Sequence, residues 1–300
     1  MVRINSKPLF ALLLSLFSGS ALAQLNLFAC EPEYAALFKE LAPEANVYSA
    51  TTAKQDPHQV QARPSLISKL RRADLALCAG ADLEVGWLPM LQMKANNAKM
   101  RPGGDGMLFA SDFIDNLDQR DSVSRFDGDV HADGNPHMHF DPYRLLQVAK
   151  GVSQALAQTD PDNSASYQAN LQRFEQKWQS AISTWEQKAA PLKGTKVIAY
   201  HSSFRYLYHW LGMQQVGDLE PKPGLPPSSS HLAKLVNIAK EQQPMAILVT
   251  GYQDPRGGEW LSSRTQVPLL ILPMSVSEKD GINDLFDLYD TVIDSLLAVE

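Results

Sequence analysis

Residues 64–78 read Pro64-Ser65-Leu66-Ile67-Ser68-Lys69-Leu70-Arg71-Arg72-Ala73-Asp74-Leu75-Ala76-Leu77-Cys78, and two periodicities meet inside them. Pro64 at a first turn with Ser65 beside it suits a helix start, and Leu66, Ile67 and Leu70 recur at the spacing of one buried helix face. From Ala73 the pattern changes to a short apolar run, so a strand over 75–78 follows the helix over 64–72 at once. Upstream the same grammar gives a strand over 25–30, a helix over 33–41 and a strand over 46–49. Downstream it returns as strands over 196–200, 246–250 and 269–272, with helices over 204–211, 231–241, 258–263 and 284–297. Alternation of this kind predicts an α/β protein made of βα units, with parallel sheets covered on both faces. The pattern recurs in two halves without a residue-level repeat, which predicts two similar lobes.

Between the halves the pattern changes twice. Residues 103–136 are polar, acidic and rich in Gly and Asp, with few residues of buried type, and predict a long surface excursion. After Pro142 helical periodicity resumes, pauses at Thr159-Asp160-Pro161, and runs over 162–192 on Tyr167, Leu171, Phe174, Trp178, Ile182 and Trp185. A helix of roughly 30 residues would be about 45 Å long, enough to join two lobes as a strut. The expected division is a leader over 1–23, a first lobe over 24–141, a connecting helical segment over 142–192 and a second lobe over 193–300.

The leader reads as an export signal. Arg3 and Lys7 precede an apolar run over 8–17, and Ala21-Leu22-Ala23 supplies the small residues of a cleavage site, so the mature chain is expected to start at Gln24 in the periplasm. The run falls short of the about 20 apolar residues of a membrane span, and no later stretch reaches that length. No cysteine stands at the cleavage point, which argues against a lipid anchor there. About 277 residues remain, enough for two domains with their own cores.

A net charge of −6 and the lack of any basic cluster beyond Lys69-Leu70-Arg71-Arg72, which reads as a solvated helix face, exclude a nucleic-acid partner on electrostatic grounds. The only cysteines, Cys30 and Cys78, each follow an apolar run. If those strands are neighbours in a parallel sheet the sulfurs meet, and the readings are a disulfide, permitted by export, or two buried thiols. No CxxC or Cys-His pair makes them a metal site.

Three of the seven histidines stand where a ligand site would be expected. His58 lies in the turn Gln55-Asp56-Pro57-His58, His137 lies just before a helix in Gly134-Asn135-Pro136-His137-Met138-His139-Phe140-Asp141-Pro142, and His201 directly follows a strand. Open α/β sheets bind ligands outside the carboxyl ends of their strands, and imidazoles converging from separate loops can hold one zinc ion. Singly, each reads as readily as a solvated loop residue. His131, alone in the acidic excursion, reads as such a residue with at most weak metal affinity, and His209 and His231 read as packing or capping residues.

Read together and in order, these motifs resemble the metal-binding proteins of ABC transporters for zinc and manganese, the cluster A-I or cluster 9 substrate-binding proteins. The likeness rests on the export signal, Asp56-Pro57-His58 with Pro64-Ser65 after it, and Ala79-Gly80-Ala81-Asp82-Leu83-Glu84-Val85-Gly86-Trp87-Leu88. It continues through Pro136-His137-Met138-His139-Phe140-Asp141-Pro142, Tyr200-His201 and Glu220-Pro221-Lys222-Pro223-Gly224-Leu225-Pro226-Pro227-Ser228. It covers essentially the whole mature chain. The resemblance implies two α/β lobes joined by a long helix, one metal in the cleft between them, and delivery of that metal by a monomer to an inner-membrane permease with its ATPase. It implies His58 and His137 as ligands from the first lobe and His201 from the second, with His139 as second choice.

The sequence departs from the family at the fourth ligand. The family commonly has a carboxylate near the last strand, whereas Leu272-Pro273-Met274-Ser275-Val276-Ser277 offers none. Glu220, Asp254 and Glu278 are left as unranked candidates beside water, while Glu84 and Asp141 are expected to bond backbone. Three imidazoles with few hard oxygens favour Zn(II) over Mn(II). Three histidines and a water also form the inner shell of zinc hydrolases, so a secreted zinc-dependent hydrolase is the rival reading, although no HExxH run or G-x-S-x-G elbow is present. A structural zinc in an adhesion protein is a third.

Overall fold

The computed structural model describes residues 24–124 and 130–299; the expected leader lies outside them. Four short strands, β1 (Asn26–Ala29), β2 (Asn46–Ser49), β3 (Leu75–Cys78) and β4 (Met107–Phe109), form a parallel sheet in the order β2-β1-β3-β4. A second parallel sheet is built from β5 (Lys196–Ala199), β6 (Gln214–Asp218), β7 (Ala246–Thr250) and β8 (Leu269–Leu272) in the order β6-β5-β7-β8. The two windings are the same, so the expected α/β class with paired sheets holds.

Helices α1 (Pro32–Leu41), α2 (Pro64–Arg71) and α3 (Leu88–Ala95) serve the first sheet, and α6 (Arg205–Leu211), α7 (Ser229–Gln242), α8 (Arg256–Thr265) and α9 (Leu285–Leu297) follow the strands of the second. In the first half, α2 starts at Pro64 and buries Leu66 and Leu70, the stripe its sequence shows. Three elements differ from the sequence expectation. The excursion over 103–136 contains β4, and β6 and α3 had no clear apolar signature. Both missed strands are sheet edges, and a half-solvated edge strand such as Gln214-Gln215-Val216-Gly217-Asp218 needs no continuous apolar run.

Between the lobes lie α4 (Pro142–Thr159) and α5 (Ser164–Lys188), which pack against each other after a short 3-10 turn at Pro161–Asn163. Helix α5 ends earlier than the roughly 30-residue run expected, because Pro191 has no N–H to continue the ladder, and Ala190–Leu192 forms a separate 3-10 turn. Its apolar face buries Tyr167, Phe174, Trp178, Ile182 and Trp185. Trp185 stacks on Tyr289 of α9 with ring centroids 4.6 Å apart, and Trp178 meets Tyr289 edge-on at 5.2 Å. Buried indole N–H groups need acceptors, and Trp178 Nε1 donates to Pro142 O while Trp185 Nε1 donates to Asp290 Oδ1. One apolar cluster therefore runs from Leu27 and Leu77 of the first sheet, through α4 and α5, to Val197 and Leu248 of the second. Smaller clusters cover the far face of each sheet.

At the carboxyl ends of β1 and β3 the structure joins Cys30 and Cys78 in a disulfide, with Cα atoms 4.7 Å apart. Beside it the chain turns through Gly80, Ala81 and Asp82, all at positive φ, and a Cβ on Gly80 would stand 2.8 Å from Phe109 Cβ. Glu84 fastens this turn by accepting hydrogen bonds from Ala79 N and Gly80 N. Glu31 is buried beside Glu84, and neither of its oxygens has a donor. Burial, then the Glu84 and Glu33 charges, push Glu31 well above the usual carboxylate range, and burial pushes Glu84 up to about 7 against its backbone hydrogen bonds. Among the described residues no helix is long and apolar enough to cross a membrane.

A carboxyl whose folded pKa exceeds its unfolded one stabilises the protein at low pH, and that contribution is lost as pH rises toward the folded value. The Glu31/Glu84 pair should therefore cost stability increasingly between pH about 4.5 and pH 7. Glu31→Gln should raise unfolding free energy by ~1–3 kcal/mol at pH 8 and much less at pH 5. Thermal melts at the two pH values check this, and an equal shift at both would refute protonation of the pair.

Candidate metal centre

The carboxyl ends of both sheets supply the histidines. His58 lies on the loop after β2, His137 precedes α4, and His201 stands two residues past the end of β5, beside the point where the second sheet's strand order reverses. The three rings form a nearly equilateral set, with centroids 5.9 Å apart for each pair and interplanar angles of 75°, 89° and 83°. One ring nitrogen from each lies within 4.8 Å of the others. Three residues separated by as many as 143 positions are thus brought to one point.

Neighbouring groups settle which nitrogen each offers. His58 Nδ1 is 2.8 Å from Asp56 Oδ1, which also accepts the His58 backbone N–H at 3.0 Å. Burial works to raise Asp56, but its side-chain hydrogen bond and charge interaction with His58 outweigh it and hold the carboxyl below its usual value. His201 Nδ1 lies 3.2 Å from Glu220 Oε2, and the same oxygen accepts Gly224 N at 3.1 Å. A carboxylate on Nδ1 fixes the tautomer with its lone pair on Nε2, the arrangement that orients metal-ligating imidazoles. His137 is 1% exposed, and its Nε2 is buried without a hydrogen-bond partner. Burial, followed by the imidazoles of His201 and His58, pushes its pKa well below 6.5, so it is neutral with a lone pair available. Each histidine can therefore present Nε2 to a common ion.

The remaining sequence candidates are placed differently. His139 is 1% exposed; its Nε2 is 3.0 Å from Met274 O, while its Nδ1 lies 3.2 Å from Glu33 Oε1 without making a hydrogen bond. With Ser275 Oγ donating to Glu33 and Tyr289 OH donating to His139 O, this residue ties the first lobe to the second. Glu220 serves His201 Nδ1. Asp254 borders the same cavity, but its carboxylate is held by Arg256. Glu278 is exposed and paired with Lys39 at 3.0 Å. Glu84 bonds backbone as expected, and Asp141 caps α4 by accepting Tyr143 N and Arg144 N.

A cavity of about 220 Å³ adjoins the histidines and is lined by Asp56, His58, His201, Glu220 and Tyr252 among others. A larger one of about 660 Å³ reaches His201 and Glu220 from the side of the excursion and includes His131 and Asn135. His131 does not behave as the solvated residue expected: it is half-buried, and its ring stacks on that of His58 with centroids 5.4 Å apart. Sequence reading also missed Asp56 as the partner of His58, although an Asp two residues ahead of a His, across a proline, is a visible turn signal. Asn135 is a further omission. Its Nδ2 donates to Ser202 O at 3.0 Å, and its Oδ1 accepts His137 N, so it places His137 beside the residue after His201.

Two like-wound α/β lobes with a cluster of imidazoles between the carboxyl ends of their strands define a two-lobed binding protein with a cation-type site. Residues 28–299 match the family described as zinc-uptake complex component A, periplasmic (ZnuA), and the chain belongs to that family. It is 24% identical over 206 residues to the high-affinity zinc uptake system protein ZnuA of Yersinia pestis, an alignment that spans 64% of each chain. With the protein of the same name from Bacillus subtilis it shares 24% identity over 80% of this chain and 76% of that one. With the manganese ABC transporter substrate-binding lipoprotein PsaA of Streptococcus pneumoniae it shares 22% over 88% and 84%. A crystal structure of ZnuA superposes with a TM-score of 0.75 at 20% identity, covering 91% of this chain and 99% of that one. The Cd-bound periplasmic metal-binding protein of Candidatus Liberibacter asiaticus gives the same TM-score at 18% identity, over 92% of this chain and 100% of its own. These likenesses show the fold.

The electrostatics of the site give a direct expectation. Histidine side-chain NMR of the metal-free protein should find that His137 takes up a second ring proton only well below the ordinary imidazole range, and that His58 carries its proton on Nδ1 at neutral pH. A His137 that titrates in the ordinary imidazole range would contradict its burial.

Proposed function

We propose that the chain captures Zn(II) in the periplasm at His58, His137 and His201 and delivers it to an inner-membrane ABC permease with its ATPase. The observation that carries this reading is the convergence of one ring nitrogen from each of three histidines, two of them with a carboxylate on Nδ1 and the third with its Nε2 buried without a partner. That set meets what zinc asks of a protein: nitrogen ligands at about 2.0–2.1 Å, held by outer hydrogen bonds. Both neighbouring carboxylates contact a histidine Nδ1, and a shell of imidazoles without hard oxygens suits Zn(II) better than Mn(II). Family membership supports a transporter component over a hydrolase, and the export signal over 1–23 supports the periplasm as its place of work.

Capture and release follow from the same groups. Neutral imidazole is the ligating form, so protons compete with the metal and affinity should fall as pH drops below about 6.5. Burial holds His137 in the neutral, ligating form well below the ordinary imidazole range. Delivery requires only that the permease-bound conformation hold the ion less tightly than the free one.

Metal analysis of the periplasmic protein should give one Zn(II) per chain, lost in each of His58→Ala, His137→Ala and His201→Ala. Asp56→Asn should keep the stoichiometry while weakening affinity by about 10–100-fold, read by competition with a chromophoric chelator. Ester or amide hydrolysis that depends on the same three histidines would instead establish the hydrolase.

A further inference from the structure

The Cys30–Cys78 pair and the two buried carboxyls beside it take no part in the histidine centre. Register sets Ala29 beside Leu77, so the residues that follow, Cys30 and Cys78, stand side by side at the carboxyl ends of β1 and β3, both fully buried. The sequence puts no ligand next to either cysteine, but the fold brings one from the turn after β3. A carboxylate oxygen of Glu84 and the two sulfurs all lie within 4.8 Å of one another. Glu31, which follows Cys30 in the chain, is 2% exposed, and neither of its oxygens has a hydrogen-bond partner. The neighbouring charges that act on it are those of Glu84 and Glu33, both negative. Buried polar atoms are nearly always partnered, and an orphaned carboxyl among sulfurs and a second carboxyl asks for a cation.

We propose that in its dithiol state the chain holds a soft divalent cation, zinc or cadmium, at Cys30, Cys78 and Glu84 with Glu31 as the fourth donor, and that closing the disulfide expels it. Thiolates select soft cations, and Zn–S bonds of about 2.3 Å place two sulfurs about 3.8 Å apart in a tetrahedral shell. Cα atoms 4.7 Å apart allow that span by rotation about each Cα–Cβ bond. The backbone on both sides is fixed. Thr51 donates to Cys30 O through its N at 3.1 Å and its Oγ1 at 2.8 Å, and Glu84 accepts Ala79 N at 2.7 Å and Gly80 N at 3.2 Å. Each carboxylate oxygen keeps a further lone pair for a metal.

The exchange balances. Binding to the dithiol releases two thiol protons, and the two thiolates cancel the double charge of the ion. Oxidation forms the Cys30–Cys78 bond. Its two electrons pass to the disulfide of a protein oxidant, which takes up two protons and leaves as a dithiol while the metal departs as a divalent ion. A dithiol reductant runs the sequence backwards. The site shares no residue with the histidine centre and does not depend on zinc capture there.

Cadmium titration of the full mature chain tests this. After reduction by a phosphine, with two free thiols confirmed by a thiol reagent, the protein should bind one more Cd(II) per chain than its oxidised form and gain a thiolate-to-cadmium absorption band in the ultraviolet. The extra ion and the band should persist when His58, His137 and His201 are all replaced by Ala, which separates this site from the capture centre. Glu84→Gln and Glu31→Gln should each weaken the extra ion at least about tenfold, the lower bound for losing even an outer partner. Equal cadmium stoichiometry in both redox states, or reduction that abolishes the helical circular dichroism, would overturn the proposal. A thiolate band with unchanged affinity in both glutamate variants would overturn the carboxylate ligation.

Discussion

The aromatic packing of Trp178 and Trp185 on Tyr289 is the constraint from which the rest of the molecule follows. It fastens α5 to α9, and through the continuous apolar cluster it holds the inner faces of both sheets to the same helical layer. With the sheets fixed in this way, the carboxyl ends of their strands face each other across a set distance. The histidine triangle is a product of that distance. His139, bonded through Nε2 to Met274 O, and Asn135, bonded to Ser202, add polar ties across the same gap. A wide swing of one lobe would expose the aromatic cluster and break these ties together. Access for an ion must come from the loops at the mouth, in contrast to the simple opening and closing of two independent domains.

The two lobes share a winding but use their crevices differently. In each, the strand order reverses between the first and third strands, which is where open α/β sheets accept ligands. The second lobe places His201 there. The first fills the equivalent position with the Cys30–Cys78 disulfide and the buried Glu31 and Glu84, and sends its histidines from the loops after β2 and β4. One lobe thus contributes through its crevice and the other through its periphery.

Where side chains are buried on both faces, the sequence was readable. β1, β3, β5 and β7 announce themselves as apolar runs because they are central strands, and α5 by the three- and four-residue steps of its buried face. β4 and β6 escaped because an edge strand can be short and polar, and β4 sits among Gly103, Gly104 and Gly106, which look like loop. His58, His137 and His201 could be nominated from their positions after strands and before helices, supported by a family pattern. Other roles were not legible because they depend on contacts distant in sequence. Glu220 turned out to brace a histidine 19 positions away, His139 to lock the lobes, and His131 to meet His58 across 73 positions. No local pattern encodes such meetings; they arise only when both sheets are packed.

The carboxylates behind the imidazoles have a consequence for the valence of the ion. Neutral imidazoles leave a bound cation's charge untouched, and a buried uncompensated charge is costly. Asp56 and Glu220 stand one bond network further out, each against the Nδ1 of a histidine at the site, and bring two negative charges close to it. At the proposed site a divalent ion would balance these two charges, whereas a monovalent ion would leave an excess of negative charge and a trivalent one an excess of positive. In the proposed site the nitrogens would set the metal's coordination and the outlying carboxylates would favour a double positive charge.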